Sequence, residues 1–493
     1  MLCLESGFHR IGVVIMASRF APLRIGLLGL GLEAYWPQFD GLRQRLERYV
    51  SEVERNLEQE GRIVVNLGLL DGASGAVAAG HACREQDIDI LLVYVTTYAL
   101  SSSLLPVVQR AKVPIILLNL QPEAAIAYEQ FNQLSNRTIM TGEWLAYCSS
   151  CPIPEIANVL RRLDIAFYQI TGMLRNDPEF WDSLGEWLKA AQVVKSLAHS
   201  TLGLMGHYYS GMLDIATDLA QISGRFGLIV EMLEVDALTE YRRSTTDQQI
   251  EAKLAEFGST FDLGPDCSPE ELLRAARTSV ALDRMALEHK LGLLAYYYKG
   301  SGVRDNEDTM SSIILATSLL TQRGVPVAGE YEVKNVIAMK ILDLLGVGGS
   351  FTEYYAMDFT EDIVIMGHDG PGHPRIAQDR VKVRALEVYH GKVGHGLSVE
   401  MSVKYGPVTL LSVVEHRERG FQLMFAEGES VPGEILRIGN TNSRYRFPLG
   451  ARRFVETWNS YGPAHHCAIG VGHVASTLRK TADLLQIPAI QIC

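Results

Sequence analysis

Two kinds of stretch alternate over residues 23–122. The first kind is apolar throughout, and in the second kind apolar positions recur every three or four residues. The second kind of stretch predicts an amphipathic helix, as for Leu42, Leu46 and Val50. Strands that are apolar throughout are buried on both faces, which is typical of a parallel sheet covered by helices. The pattern therefore predicts a doubly wound α/β domain over residues 21–190. Its strands are expected at 23–30, 62–70, 89–97 and 114–122, and its helices near 38–59, 74–86 and 102–111.

A second α/β region is predicted to begin near Val194, after a helical segment over about 150–195. It contains two apolar runs, 226–235 and 291–300, and then a helix near 308–323. A short strand VPVAG and a helix over about 331–345 follow, and Gly346 suits the position just after a helix end. We expect a central α/β domain over 191–345 that carries part of the active site.

Beyond Gly349 the apolar runs become short and alternate with polar residues, and Gly, Pro, Asn and Asp separate them. This pattern is typical of antiparallel β-structure in a barrel or sandwich. We expect a C-terminal, β-barrel-like domain over 346–493, closed by a helix over about 467–485. Residues 1–20 are interpreted as an extension outside the fold, because their apolar piece (11–16) is too short for a signal segment.

Composition agrees with three domains in a chain of 493 residues, at roughly 150 residues per domain. The formal net charge of −12 argues against nucleic acid as a partner, since nucleic-acid binding needs a basic surface. No apolar stretch is long enough to span a membrane, so no membrane partner is expected. Seven scattered cysteines predict reduced thiols and a cytoplasmic protein.

Two carboxylates and two imidazoles in the last third of the chain are the strongest candidates for chemistry. Glu330, Glu353, His368 and the pair His465–His466 each lie where an element is expected to begin or end. Oxygen and imidazole ligands suit Mn²⁺, Co²⁺ or Mg²⁺, whereas thiolates would select zinc or iron–sulfur. The set predicts a divalent metal site.

Simpler interpretations of these residues exist. Glu330 in the first turn of a helix is favoured by the helix dipole alone, and Glu353 suits the wet face of an edge strand. His373, five residues after His368, is an alternative ligand. Adjacent histidines usually point in different directions, so only one of His465 and His466 is expected to bind the metal.

Three other motifs have weaker chemical meaning. Residues 29–34 fit G-x-G-x-x-A after a strand, but the following Tyr-Trp-Pro suits a phosphate-binding helix poorly. Cys148 and Cys151 form a C-x-x-C in a Pro-containing segment, for which a structural role is favoured. The cluster Tyr296–Tyr298 suits either a sugar-binding surface or the core.

Four motifs, in order and spacing, resemble the metal-site motifs of L-arabinose isomerases within the L-fucose isomerase-like superfamily. They are GEYEVK (329–334), SFTEYY (350–355), GHDGPGH (367–373) and GPAHHC (462–467). The resemblance runs from about residue 23 to the C-terminus and is clearest in the last third.

By this resemblance, Glu330, Glu353, His368 and His466 are the metal ligands, and His465 is a close neighbour that binds substrate. The family implies Mn²⁺ or a similar cation and a flavodoxin-like N-terminal domain. It also implies a second α/β domain, a β-rich C-terminal domain, and tetramers or hexamers with sites at subunit boundaries.

The sugar-contacting segments depart from the family pattern. A polar loop with a Gln-His pair is replaced by GLGLEAYWPQ. A family histidine is matched by Met140, whereas Met212 matches a family substrate contact. We therefore expect retained metal chemistry and an altered sugar pocket. The polar and aromatic groups that the replaced loop offers to a sugar are Glu33, Tyr35, Trp36 and Gln38.

The resemblance implies a metal-dependent aldose–ketose isomerase, an intramolecular oxidoreductase acting on a free L-arabinose- or L-fucose-like pentose or hexose. Its reaction passes through an enediol, with Glu330 and Glu353 as acid and base in an order left open. The alternative is a non-catalytic sugar-binding or sensor protein, in which the C-terminal Glu/His set would have no task.

Overall fold

The computed structural model describes residues 21–59, 61–386 and 394–493. The chain divides into two compact units, and the described part of the first is residues 21–195. The second unit contains residues 196–493. The predicted extension 1–20 lies outside the described residues. The predicted division of the second unit at 345/346 stays a prediction.

The N-terminal unit is built on a parallel sheet with the strand order β2-β1-β3-β4-β5. Strands β1, β3 and β4 are buried almost throughout, as their apolar runs predict. Its strands are β1 Leu23–Leu30, β2 Arg62–Leu70, β3 Ile90–Val95, β4 Ile115–Gln121 and β5 Tyr168–Met173. Its helices are α1 Leu42–Leu57, α2 Ala73–Glu85, α3 Ser101–Ala111, α4 Tyr128–Asn132, α5 Arg137–Leu145, α6 Ile153–Arg162 and α7 Pro178–Ala198.

Strand β5 corrects the sequence analysis, which predicted only helix over 150–195. Two helices flank it, and Ile116 of β4 pairs with Tyr168 at its start. Strand order reverses between β1 and β3, so the loop after β1 lies at the topological switch point, where α/β sheets usually bind ligands. That loop forms a single 3₁₀ turn, Glu33–Tyr35.

The second unit begins with a four-stranded parallel sheet in the order β10-β9-β6-β7. Its strands are β6 Thr201–Gly206, β7 Ile229–Leu233, β9 Leu291–Tyr297 and β10 Val327–Ala328, and β8 Asp262–Leu263 belongs to a separate three-stranded sheet. The helices are α8 Leu219–Phe226, α9 Val235–Arg243, α10 Asp247–Thr260, α11 Pro269–Glu288, α12 Arg304–Ser311, α13 Ile314–Gln322 and α14 Val333–Leu344. Gly346 has the left-handed φ (83°) that was expected just after α14.

The rest of the second unit is a mixed sheet of seven strands. Six of them pair antiparallel in a closed cycle, β15-β18-β11-β12-β17-β16-β15, and β19 joins β16 in parallel. The strands are β11 Ser350–Asp358, β12 Ile363–His368, β15 Gly406–His416, β16 Gly420–Val431, β17 Thr441–Arg446, β18 Cys467–Val471 and β19 Ala489–Gln491. Two helices, α15 Ala451–Ser460 and α16 Ala475–Leu485, follow in this region. Strand β13 Lys382–Leu386 pairs with β8 on one side and with β14 Gly396–Glu400 on the other.

These elements confirm an α/β chain with parallel sheets followed by a mixed sheet, whereas the barrel-like shape stays a prediction. The final helix is shorter than expected, because Cys467–Val471 is strand β18, and the last element is β19. Among the described helices, none combines the length and apolar character that crossing a membrane requires.

Candidate metal centre

Glu330 lies in a tight turn between β10 and α14. The sequence analysis expected it to open the helix, and that expectation was wrong. Its φ is 57° and that of Tyr331 is 64°, in the left-handed region that residues other than glycine rarely adopt. The Tyr331 N–H donates to the Tyr296 carbonyl (2.9 Å), and the Glu332 N–H donates to the Gly329 carbonyl (3.0 Å). Such strain persists only where its surroundings fix it, and it often occurs at functional sites.

Glu353 and His368 lie on neighbouring antiparallel strands, β11 and β12. Glu353 pairs with Gly367, the residue before His368. The register shifts between Tyr354 and Ala356, so β11 bulges just after Glu353. Bulges re-aim side chains, and here Glu353, Tyr354 and Tyr355 all line one cavity.

His466 reaches the same place from β18, the other neighbour of β11. Thr352 pairs with Cys467, which sets His466 beside Glu353. His466 Nε2 lies 3.3 Å from Glu330 Oε2 and 4.0 Å from Glu353 Oε2. Two groups with metal-ligating atoms within 4.8 Å of one another share His466: Glu330–His368–His466 and Glu353–His465–His466. The four predicted ligands therefore converge.

A buried phenylalanine holds the two imidazoles. The Phe351 ring centroid lies 4.2 Å from that of His368 and 4.5 Å from that of His466, and the latter pair is stacked. The packing fixes both rings against the sheet, so little freedom is lost when they bind a ligand.

The charges around His466 fit a cation. The ring is buried, and neither nitrogen makes a hydrogen bond within the described part of the chain. A buried imidazole among carboxylates is costly without a compensating partner. A divalent ion that prefers oxygen and imidazole ligands would supply one. His368 Nδ1 accepts a hydrogen bond from the Gly370 N–H (2.9 Å). To bind a metal, His368 would have to give up that bond at Nδ1 or lose the proton from Nε2.

Glu332 was missed in the sequence analysis. Its side chain is fully buried, and Oε2 lies 3.6 Å from His466 Nδ1, the nitrogen opposite the one near Glu330. Lys334 Nζ lies 3.9 Å from the other carboxylate oxygen. A carboxylate behind a ligating histidine orients the ring and raises its basicity. The signal was present in GEYEVK, where Glu332 follows Glu330 by two positions.

His465 contacts Glu353 on the exposed side of the centre. Its Nε2 lies 3.2 Å from Glu353 Oε2, and its backbone N–H donates to Asp214 Oδ2 (3.0 Å). The hydrogen bond with Glu353 raises the pKa of His465 against the opposing effect of burial, and Asp214 adds to the increase. The imidazolium form is therefore favoured beside the carboxylates.

The centre opens into a cavity of about 400 Å³. Glu330, Glu353 and His368 line it together with Asp369 and Asn440. A further part of the wall is aliphatic and consists of Met310, Ile313, Ile314, Leu436 and Ile438. The cavity thus combines an aliphatic wall with polar and charged groups that can orient a small-molecule ligand.

Of the tyrosine cluster, Tyr296 and Tyr298 line this cavity, whereas Tyr297 packs against His207 and Tyr209. Both interpretations of the cluster thus apply to different members. The alternative ligand His373 is buried and belongs to neither group of ligating residues.

The remaining predicted substrate contacts lie elsewhere. Met212 is half-buried just before the 3₁₀ turn Leu213–Ile215, which carries Asp214, and it does not line the cavity. The other four belong to the N-terminal unit, where Trp36 Nε1 donates to Asp71 Oδ2 (2.7 Å) and Gln38 Nε2 donates to the Ala34 carbonyl (2.6 Å). Their contact with a sugar stays a prediction. These four are Glu33, Tyr35, Trp36 and Gln38.

Comparison with known proteins agrees with the four motifs. Residues 348–488 match the family model of the L-arabinose isomerase C-terminal domain. The L-arabinose isomerase of Klebsiella pneumoniae subsp. pneumoniae is 22% identical over 474 residues, covering 91% of this chain and 90% of its own. That of Nocardioides sp. is 24% identical over 344 residues, covering 67% of each.

Solved structures also match, and one of them contains a bound sugar. It is a periplasmic solute-binding protein of an ABC transporter from Actinobacillus succinogenes with bound D-allose, 11% identical, covering 62% of this chain and 95% of that one. The TM-score of 0.17 is too low to indicate a shared fold.

The fold and site define an α/β protein whose second unit carries a centre of two carboxylates and two imidazoles. The comparisons support a member of the L-arabinose isomerase family. These relatives indicate a sugar aldose–ketose isomerase, an intramolecular oxidoreductase.

Proposed function

We propose that the protein is a divalent-metal-dependent isomerase of a free pentose or hexose, of the L-arabinose or L-fucose kind. Mn²⁺ is the proposed ion, with Co²⁺ and Mg²⁺ as alternatives. The observation that carries the proposal is the convergence of Glu330, Glu353, His368 and His466 at one cavity. These residues would hold the ion, which when bound would polarise the sugar carbonyl as a Lewis acid.

The two glutamates would move the protons of the reaction. One carboxylate takes the proton from C2 of the open-chain aldose while a proton is delivered to O1, which gives an enediol. The proton then returns at C1, and the O2 proton leaves to give the ketose. Either glutamate suits either task, because both lie within 4.0 Å of His466 Nε2 at the same cavity.

His465 would bind substrate and keep Glu353 oriented. Its contact with Glu353 Oε2 and the bond from its backbone to Asp214 fix it at the exposed side of the centre. A cationic ring there stabilises negative charge that develops on a sugar oxygen as the C2 proton leaves.

The remaining parts of the proposal rest on resemblance. We propose a flavodoxin-like N-terminal unit, a barrel-like C-terminal sheet and a cytoplasmic protein. We also propose a tetramer or hexamer, which light scattering of the purified protein would test. A single monomeric mass across the concentration range would contradict the oligomer.

The test of function is a screen of metal-stripped protein. The protein is incubated with L- and D-aldoses, with and without Mn²⁺, and ketose formation is followed. Mn²⁺-dependent conversion of at least one sugar is expected, with Glu353→Gln as the inactive control. Sugar binding without conversion by the metal-loaded protein would favour the sensor alternative. If the protein neither binds Mn²⁺ nor converts any sugar, the proposal is overturned.

A further inference from the structure

Asn440, in the wall of the cavity, has a hydrogen-bonding atom that the described part of the chain does not satisfy. Asn440, just before β17, is 7% exposed. Its Nδ2 donates to the Tyr355 hydroxyl (3.0 Å), whereas its Oδ1 is buried and has no donor among the described residues. A buried acceptor left without a donor costs stability. A ligand in the cavity can supply that donor.

Tyr355 presents the complementary group beside it. Its hydroxyl oxygen accepts from Asn440, and its own hydrogen has no acceptor within the described residues. Asn440 and Tyr355 thus offer one acceptor and one donor to the same cavity. An alcohol both donates and accepts, so this pair suits a hydroxyl group.

A neighbouring asparagine shows what a structural role looks like in this segment. The Asn442 Oδ1 accepts from the Leu436 N–H (2.9 Å), and its Nδ2 donates to the carbonyls of Leu436 (2.8 Å) and Asn440 (3.3 Å). Both ends of the Asn442 amide are used within the protein, and Asn442 does not line the cavity. Asn440 differs on both counts.

One wall of the cavity cannot form hydrogen bonds with such a hydroxyl. The aliphatic wall, including the buried Met310, Ile313 and Ile314, can neither donate nor accept. The carboxylates and His368 are committed to the reacting end of the sugar in the proposed function. Of the other polar side chains that line the cavity, Tyr298 bonds to Ser301 and Asp369 lies beside His368. Asn440 and Tyr355 are a pair that offers both an acceptor and a donor to a hydroxyl further along the carbon chain.

Resting on the proposed function, we infer that Asn440 is a specificity-determining residue whose Oδ1 accepts a hydrogen bond from a hydroxyl beyond C2 of the open-chain sugar. The Tyr355 hydroxyl donates to the oxygen of the same sugar hydroxyl, and it holds the Asn440 amide in place by accepting from Nδ2. The ligand class is a polyhydroxylated aldose that carries a hydroxyl at the matching carbon. A sugar deoxygenated there is discriminated against.

The test compares the best aldose with its 3-, 4- and 5-deoxy analogues, using kcat/KM. Wild type is expected to lose about 10- to 100-fold on one of the three. Asn440→Leu, which has a similar branched shape but is bulkier and cannot hydrogen bond, should lose a similar factor on the parent sugar, mainly in KM. Its preference for the parent over that one analogue should fall to about threefold or less.

Arg437→Ala is the matched control, since Arg437 is exposed in the same segment and pairs only with Glu434 across the described residues. It should keep the wild-type pattern.

Tyr355→Phe keeps Asn440 and removes the hydroxyl, so its discrimination should also shrink. Full wild-type discrimination in both Asn440→Leu and Tyr355→Phe would overturn the inference. If Asn440→Leu does not fold, as judged by circular dichroism, Tyr355→Phe decides.

Binding of the matching alditol, which has no carbonyl to isomerise, separates this inference from the proposed function. Calorimetry on Mn²⁺-loaded protein should show weaker binding by Asn440→Leu and unchanged binding by Arg437→Ala. That result without turnover of any aldose would uphold the inference and contradict the isomerase. Turnover with wild-type alditol affinity in Asn440→Leu would do the reverse. If no sugar or alditol binds, both fail.

Discussion

At the scale of single residues, the centre consists of closely spaced carboxylates around a buried imidazole. Glu330 and Glu353 flank the buried His466 at 3.3 and 4.0 Å, and Glu332 lies 3.6 Å from its other nitrogen. Three carboxylates gathered around one buried ring suit a cation that compensates their charge. The arrangement is therefore more informative than any of its members.

Glu353→Gln should lower kcat by at least about 10²–10⁴-fold, because an amide cannot exchange the proton that the reaction moves. Single-turnover assays with saturating Mn²⁺ would measure this. Circular dichroism should show an unchanged fold, since Glu353 is partly exposed at the cavity. Substantial retained kcat would remove Glu353 from proton transfer.

Glu332→Gln should weaken Mn²⁺ binding by about 10–100-fold, although Glu332 does not line the cavity. Its carboxylate lies 3.6 Å from His466 Nδ1, where it would orient the ring for metal binding. The readout is the metal Kd from calorimetry. Glu434→Gln, at a highly exposed carboxylate, is the control and should keep the wild-type Kd. An unchanged Kd in Glu332→Gln would mean that the buried carboxylate serves only packing.

The sequence could indicate the four predicted ligands, because their residue types suit a hard divalent ion and their motifs resemble those of L-arabinose isomerases. It could not indicate Asn440, because Asn after Gly is typical of a turn, and only the approach of Tyr355 shows which end of the amide is satisfied. Glu332 was hidden for a related reason: near a helix start it resembles an ordinary dipole-stabilising carboxylate.

At the scale of elements, strands β11, β12, β17 and β18 position the centre. Periodicity predicted most of them, but it placed Cys467–Val471 in a helix. A short apolar run has no period that separates strand from helix. What decides is pairing with β11 and β15, distant in sequence. The turn at Glu330 was missed in the same way, since its left-handed backbone depends on the Tyr296 carbonyl.

Gly367→Ala should destabilise the protein by about 1–3 kcal/mol, as overpacking does. A Cβ at Gly367 would lie 2.0 Å from the Thr441 carbonyl oxygen and 2.8 Å from Asn442 Cα, so β12 and β17 would have to separate. Urea unfolding would measure the loss. Gly258→Ala in α10 is the control, because a Cβ there meets no atom within 4 Å. Equal stabilities of the two variants would contradict the close approach.

At the scale of the whole molecule, the structure divides at Lys195/Ser196. The domain boundary expected at 190/191 stays a prediction. The sequence could not fix the residue, because α7 runs continuously from Pro178 to Ala198 and no linker composition marks the boundary. The second unit is held in part by a network of charges that the sequence analysis did not foresee. Its members come from α10, α11 and the end of α13.

Asp283 is the centre of that network. It lies 2.6 Å from Lys253 Nζ, which is almost fully buried, and 2.8 Å from Arg323. Burial alone would raise the pKa of Asp283, but the two cations outweigh it and hold that pKa below its ordinary value of 3.8. The carboxylate is therefore charged in the folded protein over the whole neutral range.

Asp283→Asn should cost about 3–5 kcal/mol at pH 7, since it leaves buried cations without their partner. A lowered folded-state pKa gives stability that is present above the unfolded-state pKa and is lost as the pH falls through the folded-state value. The difference between variant and wild type should therefore shrink below about pH 4. Urea unfolding at pH 7 and pH 3 would measure it, with Glu288→Gln, in an exposed pair on the same helix, as the control. A difference that does not change with pH would assign the effect of Asp283 to packing rather than to its charge.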